Sequence, residues 1–561
     1  MDGGEVEKGG VGQVLLNRAT ARNLYTYLGT NVNLPHTSNA FTTSNASITP
    51  TLLGLLAGDN DGKNKLIQFV HGLDSYDDNS NGNTTEKRDW ILGAFLHSRP
   101  LVIHYATRSI IFAGSNDGML HAFDDSDGTE LWGFVPPNLF TKLQALHADV
   151  VEYFVDGSAR AYVARNPDGS ISQAILVFGE RRGGNRFYAL DITDPVNPRY
   201  LWDISPSTSG FEELGDSWSI ANISKIAYGT GEKWVVFIGG GYDENQDNSP
   251  VVAADTKGRA VYAVDLLTGA RVWRYSHAED ANMSYSIPSD VAAVDTDADG
   301  KIDRLYVGDM GGRMWRFNVK DASPSNWTGK IIFQSNGVGD KRKIFYPPDV
   351  SLEQGDTSYE MLFFGTGDRE DPREATVINR LYAVKDKNPT TALTEADLVD
   401  VTGDLLQDPA TTQEQKNSIK TQLNAGLGWY IKLDLSSGEK CLAAPVVFSK
   451  IAFYTTYSPG SLAEGDDPCF VGEGVARLYA LQYTTGNAIF NFDLTNDTDH
   501  SIIARSDRAK TMGTGIPSGV IITFIGGTAV AYAGVGGGVF MPTFTDAMTK
   551  SLLNVLWQTI Y

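Results

Sequence analysis

Short runs of consecutive apolar residues, each closed by glycine, recur along most of the chain. Examples are Ile110-Ile111-Phe112-Ala113-Gly114, Ile175-Leu176-Val177-Phe178-Gly179, Val235-Val236-Phe237-Ile238-Gly239, Leu305-Tyr306-Val307-Gly308 and Met361-Leu362-Phe363-Phe364-Gly365. A strand without polar alternation is buried on both faces. Each run is followed by a second apolar segment, clearest at Ala260-Val261-Tyr262-Ala263-Val264-Asp265. There Thr268-Gly269 turns the chain and a further strand carries Trp273. Met119 to Asp124 leads in the same way to Trp132, and Phe187 to Asp191 to Trp202. Met314 to Asn318, Leu381 to Val384 and Leu478 to Leu481 repeat the pattern.

Strands buried on both faces and repeated in this way predict four-stranded blades stacked around an axis, which leaves few exposed edges. The expected fold is all-β, a modified seven-bladed β-propeller with quinoprotein-like repeats. Six units are clear, near 101–135, 151–203, 217–275, 290–333, 344–386 and 428–492, and a weaker seventh covers about 512–542. Their spacing exceeds the roughly 40–50 residues of a plain blade, so insertions are expected. The largest is 387–427, where Thr394-Glu395-Ala396-Asp397 and Thr411-Thr412-Gln413-Glu414 read as starts of two short, solvent-facing helices. Residues 1–100 differ. They read as an irregular segment packed on a propeller of residues 101–561, with helical character at Val11 to Leu16 and Lys65 to Val70.

The chemistry concentrates in Asp295-Thr296-Asp297-Ala298-Asp299-Gly300-Lys301-Ile302-Asp303. Carboxylates at positions 1, 3, 5 and 9 with glycine at 6 match the opening of a calcium loop, and hard Ca²⁺ takes six to eight oxygens. Asp295, Asp297 and Asp299 can converge on one ion, Lys301 offers its backbone carbonyl, and Asp303 adds an oxygen directly or through water. The acid expected at position 12 is replaced by Tyr306, within a strand, so this is a calcium loop set in β-structure rather than an EF-hand. The alternative is an acidic surface turn. A second loop, Asp77-Asp78-Asn79-Ser80-Asn81-Gly82-Asn83, repeats the spacing with weaker ligands. Asp77, Asn79, Asn81, Asn83 and Thr85, with Glu86 nearby, are its candidate Ca²⁺ ligands, and an ordinary Asx-rich turn explains it equally well.

Charge and cysteine content narrow the function. The net charge of −22 argues against nucleic-acid binding, which needs a basic surface. The two cysteines, Cys441 and Cys469, form no zinc or redox motif. A disulfide between them and a pair of free thiols both remain open. No apolar run reaches the roughly 18–20 residues of a membrane span. Met1-Asp2-Gly3-Gly4-Glu5 is no signal peptide, so an excised piece or an upstream export signal is expected. The repeat invites comparison with quinone-dependent dehydrogenases, but adjacent cysteines are missing, and no phosphate-binding loop occurs. No enzyme is expected. His97-Ser98 is assigned a structural role.

Several motifs together resemble the PilY family, specifically the C-terminal domain of type IV pilus-associated tip proteins. They are Arg22-Asn23-Leu24-Tyr25-Thr26-Tyr27, Gln68-Phe69-Val70-His71-Gly72, Arg88-Asp89-Trp90-Ile91-Leu92-Gly93 and His97-Ser98-Arg99-Pro100. The most specific is Phe112-Ala113-Gly114-Ser115-Asn116-Asp117-Gly118-Met119-Leu120-His121-Ala122-Phe123. Many relatives carry arginine at His71 and aspartate at Ala94. The resemblance implies a modified propeller with Ca²⁺ at Asp295, Asp297, Asp299, Lys301 and Asp303. It also implies export to the cell surface, at the pilus tip (fimbrium) or in association with the outer membrane. Its roles would be pilus assembly, adhesion and calcium-regulated extension and retraction. Minor pilins are the implied partners, with an adhesive N-terminal domain or subunit outside this chain. The alternative reading is a non-catalytic scaffold or lectin-like module that binds a surface ligand.

Overall fold

The computed structural model describes residues 10–541, apart from 149, 248–253, 336–341, 354–357, 461–472, 496–501, 526–527 and 537. Seven sheets follow one another along the chain, antiparallel except for one added parallel strand in the first and in the fifth. Blade one consists of Leu101–His104, Ser109–Gly114, Leu120–Asp124 and Glu130–Phe134. Blade two has first strand Arg160–Arg165 and second strand Ile171–Gly179. Blades three and four begin at Asn222–Tyr228 and Ala292–Val294, and blade five at Asp349–Glu353. Among the described residues blade seven has three strands, Ile521–Ile525, Thr528–Val535 and Gly538–Phe540. The fold is therefore a seven-bladed β-propeller.

The apolar pattern works as the sequence suggests. Residues 110–114, 175–179 and 361–364 form second strands, and neighbouring blades bury them against each other. Val177 and Ala189 of blade two share a core with Val236 and Tyr262 of blade three. Tyr306 of blade four packs with Leu362 and Tyr382 of blade five. At roughly 25 cal/mol per Å² of apolar surface, these interblade cores dominate the stability.

The turn motif has a specific task. The Asp265 carboxylate accepts hydrogen bonds from the backbone N–H of Leu267 and Thr268, which closes the turn. Its Leu266 carbonyl then accepts the indole N–H of Trp202 from the preceding blade at 2.9 Å. Gly269, at φ +71, lies against the Trp202 ring, where a Cβ would come within 2.7 Å. Trp132 reaches Pro195 O (2.8 Å) and Trp429 reaches Tyr483 O (2.9 Å) in the same way. Each tryptophan thus ties its blade to the turn of the next.

Two boundaries differ from the sequence reading. Gly428–Lys432 does not open the sixth blade. It pairs with Arg380–Asp386 and closes blade five, while blade six takes Ala509–Thr514 as its last strand. The insertion at 387–427 therefore lies inside blade five, between paired strands. Its apolar residues at Leu398, Val401 and Leu423 keep it attached to those strands. The insert is also only partly solvent-facing. Thr394 caps a single 3₁₀ turn, Glu395–Asp397, in which Glu395 is buried. The Glu395 carboxylate takes Arg342, Arg380 Nε (3.1 Å) and the Tyr382 hydroxyl (2.6 Å). A helix follows at Gln413–Ala425, capped by Thr412 with Gln415 three residues on, one residue later than the Thr411–Glu414 spacing suggested.

Helices Gly10–Asn17 and Asn60–Val70 precede the propeller. Leu34, Phe41, Leu66 and Ile67 share a core with Ile110, Phe112 and Trp132 of blade one. Leu24–Tyr25 adds a parallel fifth strand on Gly133 and Phe134. Cys441 is buried, and burial pushes its thiol up to about 12. Cys469 lies outside the described residues. Among the described residues, no helix is long and apolar enough to cross a membrane.

Candidate metal centre

The acidic loop connects the first two strands of blade four. Val294 and Arg304 are paired across it, and Asp303 N–H donates to Val294 O at 2.9 Å. Ile302 plugs into the core between blades three and four, and its N–H donates to Lys225 O. Both ends of the loop are thus fixed. Between them Ala298 and Gly300 adopt positive φ, +60 and +82, which curls the backbone. Positive φ is costly for a residue with a Cβ, so glycine suits the sharper of these positions.

Carboxylate oxygens of Asp295, Asp297 and Asp303 lie within 4.8 Å of one another. Oxygens bound to one Ca²⁺ at 2.3–2.6 Å can be at most about 4.6–5.2 Å apart, so this triad fits a single ion. Asp295 accepts the Gly300 N–H at 2.7 Å. Asp303, which is buried, accepts the Thr296 N–H and hydroxyl on Oδ2. Asp299 stands apart from the triad. Its carboxylate accepts the Lys301 N–H at 2.9 Å and pairs with the Lys301 ammonium at 2.6 Å, which lowers its pKa.

One group that belongs here carried no sequence signal. Lys320 Nζ sits 2.5 Å from Asp297 Oδ2 and 3.5 Å from Asp303 Oδ1. Val319 N–H bonds to Asp303 O and brings Lys320 to the loop from the far end of the neighbouring strand. The hydrogen bond to Lys320 lowers the Asp297 pKa, and Asp297 in turn raises that of Lys320. Two of the three acids thus face one ammonium, a single positive charge at a cluster of hard oxygens.

The loop at 77–86 closes on itself. Asp77, at φ +60, accepts the Gly82 N–H. The side-chain amides of Asn79 and Asn81 both donate to Glu86 Oε1, at 2.7 and 2.6 Å, and that of Asn83 to Glu86 Oε2. Asn83 Oδ1 accepts from Thr85. Glu86 is therefore the carboxylate around which these polar side chains gather.

The quoted motifs of the first blade also meet in space. His121 is wholly buried between Asp117 (3.0 Å) and Glu130 (2.8 Å). Glu130 is gripped by Arg22 through Nε and Nη2, and Gly93 N–H donates to Asp117. Two acids and two bases thus balance in the core. His97 and Ser98 have separate partners: His97 Nδ1 meets Asp156 at 2.7 Å, and Ser98 Oγ accepts the Gly114 N–H.

Comparison with known proteins agrees with this architecture. The chain is 28% identical over 437 residues to a type IV pilus biogenesis factor PilY1 homolog of Xylella fastidiosa, covering 71% of this chain and 27% of that protein. It is 27% identical over 436 residues to type IV pilus biogenesis factor PilY1 of Pseudomonas aeruginosa, covering 68% of this chain and 35% of that protein. The chain thus spans about a third or less of these relatives' length. Its fold matches the crystal structure of the Pseudomonas aeruginosa PilY1 C-terminal domain with a TM-score of 0.56 at 21% identity, covering 78% of this chain and 92% of that one. The family model of the PilY1 β-propeller domain matches residues 102–421, more than half of the sequence, and the chain belongs to that family.

Proposed function

We propose that this chain is a non-enzymatic, calcium-binding propeller module of a type IV pilus biogenesis factor. It is exported to the cell surface and acts at the pilus tip with minor pilins, in assembly, in calcium-regulated extension and retraction, and in adhesion. The observation that carries the reading is the convergence of Asp295, Asp297 and Asp303 within 4.8 Å, in a chain of the PilY1 propeller family.

Asp295, Asp297 and Asp303 would hold Ca²⁺ through carboxylate oxygens, with Lys301 contributing its carbonyl and Asp299 completing the set after release from Lys301. The ion supplies a fixed double charge where Lys320 supplies a mobile single one. Binding then frees Lys320 and stiffens the hairpin at the edge of blade four, and that is the change a pilin partner would sense. The loop of Asp77, Asn79, Asn81, Asn83 and Thr85 is a second, weaker Ca²⁺ site, with Glu86 as its charged member.

Calorimetric titration of the purified chain with calcium tests the metal. Asp295→Ala should weaken binding at least about tenfold, as expected for one lost charged ligand. A pull-down against minor pilins, with and without calcium, tests the partner. Calcium binding unchanged by the variant rejects the site, and capture of glycans rather than pilins would favour a lectin-like module.

A further inference from the structure

In a chain of net charge −22, several arginines lie at or just beyond the ends of first and second strands. The first strands of blades two to six touch one another in turn and so form the innermost ring. Arg160 opens the first strand of blade two, Arg99 lies two residues before that of blade one, and Asp290 two before that of blade four. The second strands run back antiparallel, so the loops that follow them return to the same end. Those loops carry Arg181 in blade two and Arg369 in blade five.

Part of this end is internally satisfied. Arg181 lies 3.3 Å from Asp156, and its guanidinium stacks 3.7 Å over the Trp218 ring. Arg182 pairs with Asp247 at 3.0 Å and with Glu370 of blade five, bridging non-adjacent blades. The Trp218 indole N–H, although buried, has no hydrogen-bond partner among the described residues.

The rest is not satisfied. Among the described residues, Arg99, Arg160 and Arg369 have no carboxylate within ion-pair distance and no hydrogen bond from the guanidinium. They share one neighbourhood. Asp290 faces Arg160, Arg99 and Arg181, and burial still raises it to about 6. Tyr346 faces Arg369, Arg181 and Arg99. Arg160 is exposed, and the protein packed around it lowers its pKa by desolvation. Crowded like charges repel, and an anion placed among them relieves this.

We propose that the axial mouth of the propeller binds a small ligand carrying two or more oxyanion groups, carboxylate or phosphate, through Arg99, Arg160 and Arg369. The planar guanidinium matches either group with paired hydrogen bonds. Three cationic side chains favour a ligand that carries several negative charges over one that presents a single charge.

Calorimetry on the whole chain, at low ionic strength and without divalent cations, tests this with citrate and with pyrophosphate, using acetate as the single-charge control. At least one polyanion should bind more tightly than acetate and more weakly as salt rises. A preference for citrate assigns carboxylates, and a preference for pyrophosphate assigns phosphates. Arg160→Gln and Arg369→Gln should each weaken binding about tenfold or more, the scale of one charged hydrogen-bonded contact. Asp295→Ala should leave it unchanged, which separates this site from the metal loop. Neither arginine anchors the fold through an ion pair, so melting should hold, and Arg99→Gln serves if either variant melts early. No binding of either polyanion, or equal binding by wild type and variants, overturns the proposal.

Discussion

The ammonium of Lys320 lies 2.5 Å from a carboxylate oxygen of Asp297, 23 residues away in sequence. It also reaches Asp303 at 3.5 Å, so it bridges two members of the acidic triad. A divalent ion entering the triad must displace it. Lys320→Gln removes the competing charge and keeps a polar side chain. Calcium affinity should rise several-fold, read by calorimetry, and the gain should shrink at high salt. Equal or weaker binding would show that the ammonium does not compete.

Asp303 and Asp299 should behave differently. Asp303 is nearly buried and ties Thr296 into the loop, whereas Asp299 is exposed and paired with Lys301. Asp303→Ala should weaken calcium binding at least about tenfold and also lower the melting temperature slightly, the cost of a lost buried hydrogen-bonding group being about 1–3 kcal/mol. Asp299→Ala should weaken binding less and leave melting unchanged.

The buried His121 makes stability depend on pH. Burial opposes its charge, but Asp117 and Glu130 outweigh that and raise its pKa to about 9. Because the folded value exceeds the unfolded one of about 6.5, the stabilisation is complete below pH 6.5 and is lost as pH rises through 9. It amounts to a few kcal/mol on the scale of about 1.4 kcal/mol per pKa unit. The urea midpoint should fall between pH 7 and 10, and His121→Gln should flatten that fall. Glu130 works in the opposite direction. Burial opposes its charge, but Arg22 and His121 hold its pKa well below the usual carboxylate range, so its contribution is lost as pH falls below about 4.5.

The interblade ties can be weighed one at a time. Trp202→Phe removes the hydrogen bond to Leu266 and should cost about 1–2 kcal/mol, whereas Trp202→Ala should cost about 3–5 kcal/mol through the cavity left between blades. Gly269→Ala brings a Cβ within 2.7 Å of the Trp202 ring at positive φ and should destabilise by more than about 1 kcal/mol. Thermal or urea melting reads all three. A silent Gly269→Ala would mean that the turn does not press on the tryptophan.

Local spacing explains what could be read in advance. A five-residue apolar run ending in glycine is a doubly buried strand wherever it falls, and the Asp265 turn needs only its own next three residues. The loop at 295–303 is equally local, since its curl depends on Gly300 and Ala298. The blade boundary at 428 was misplaced because strand patterns do not record their partners. Gly428–Lys432 looks like any opening strand until its pairing with Arg380–Asp386, across an insertion, is known.

The sequence by itself determined the repeating strands, the Asp–Thr-Gly turn and the acidic loop, because each is written in residues a few positions apart. Only the tertiary structure decided that Lys320 faces Asp297, that Arg22 grips Glu130 across 108 residues, and that Trp202 meets the Leu266 carbonyl 64 residues on. These pairings join distant parts of the chain. Strand pairing within a blade, docking of the N-terminal segment and packing between blades set their geometry, and no local pattern encodes these.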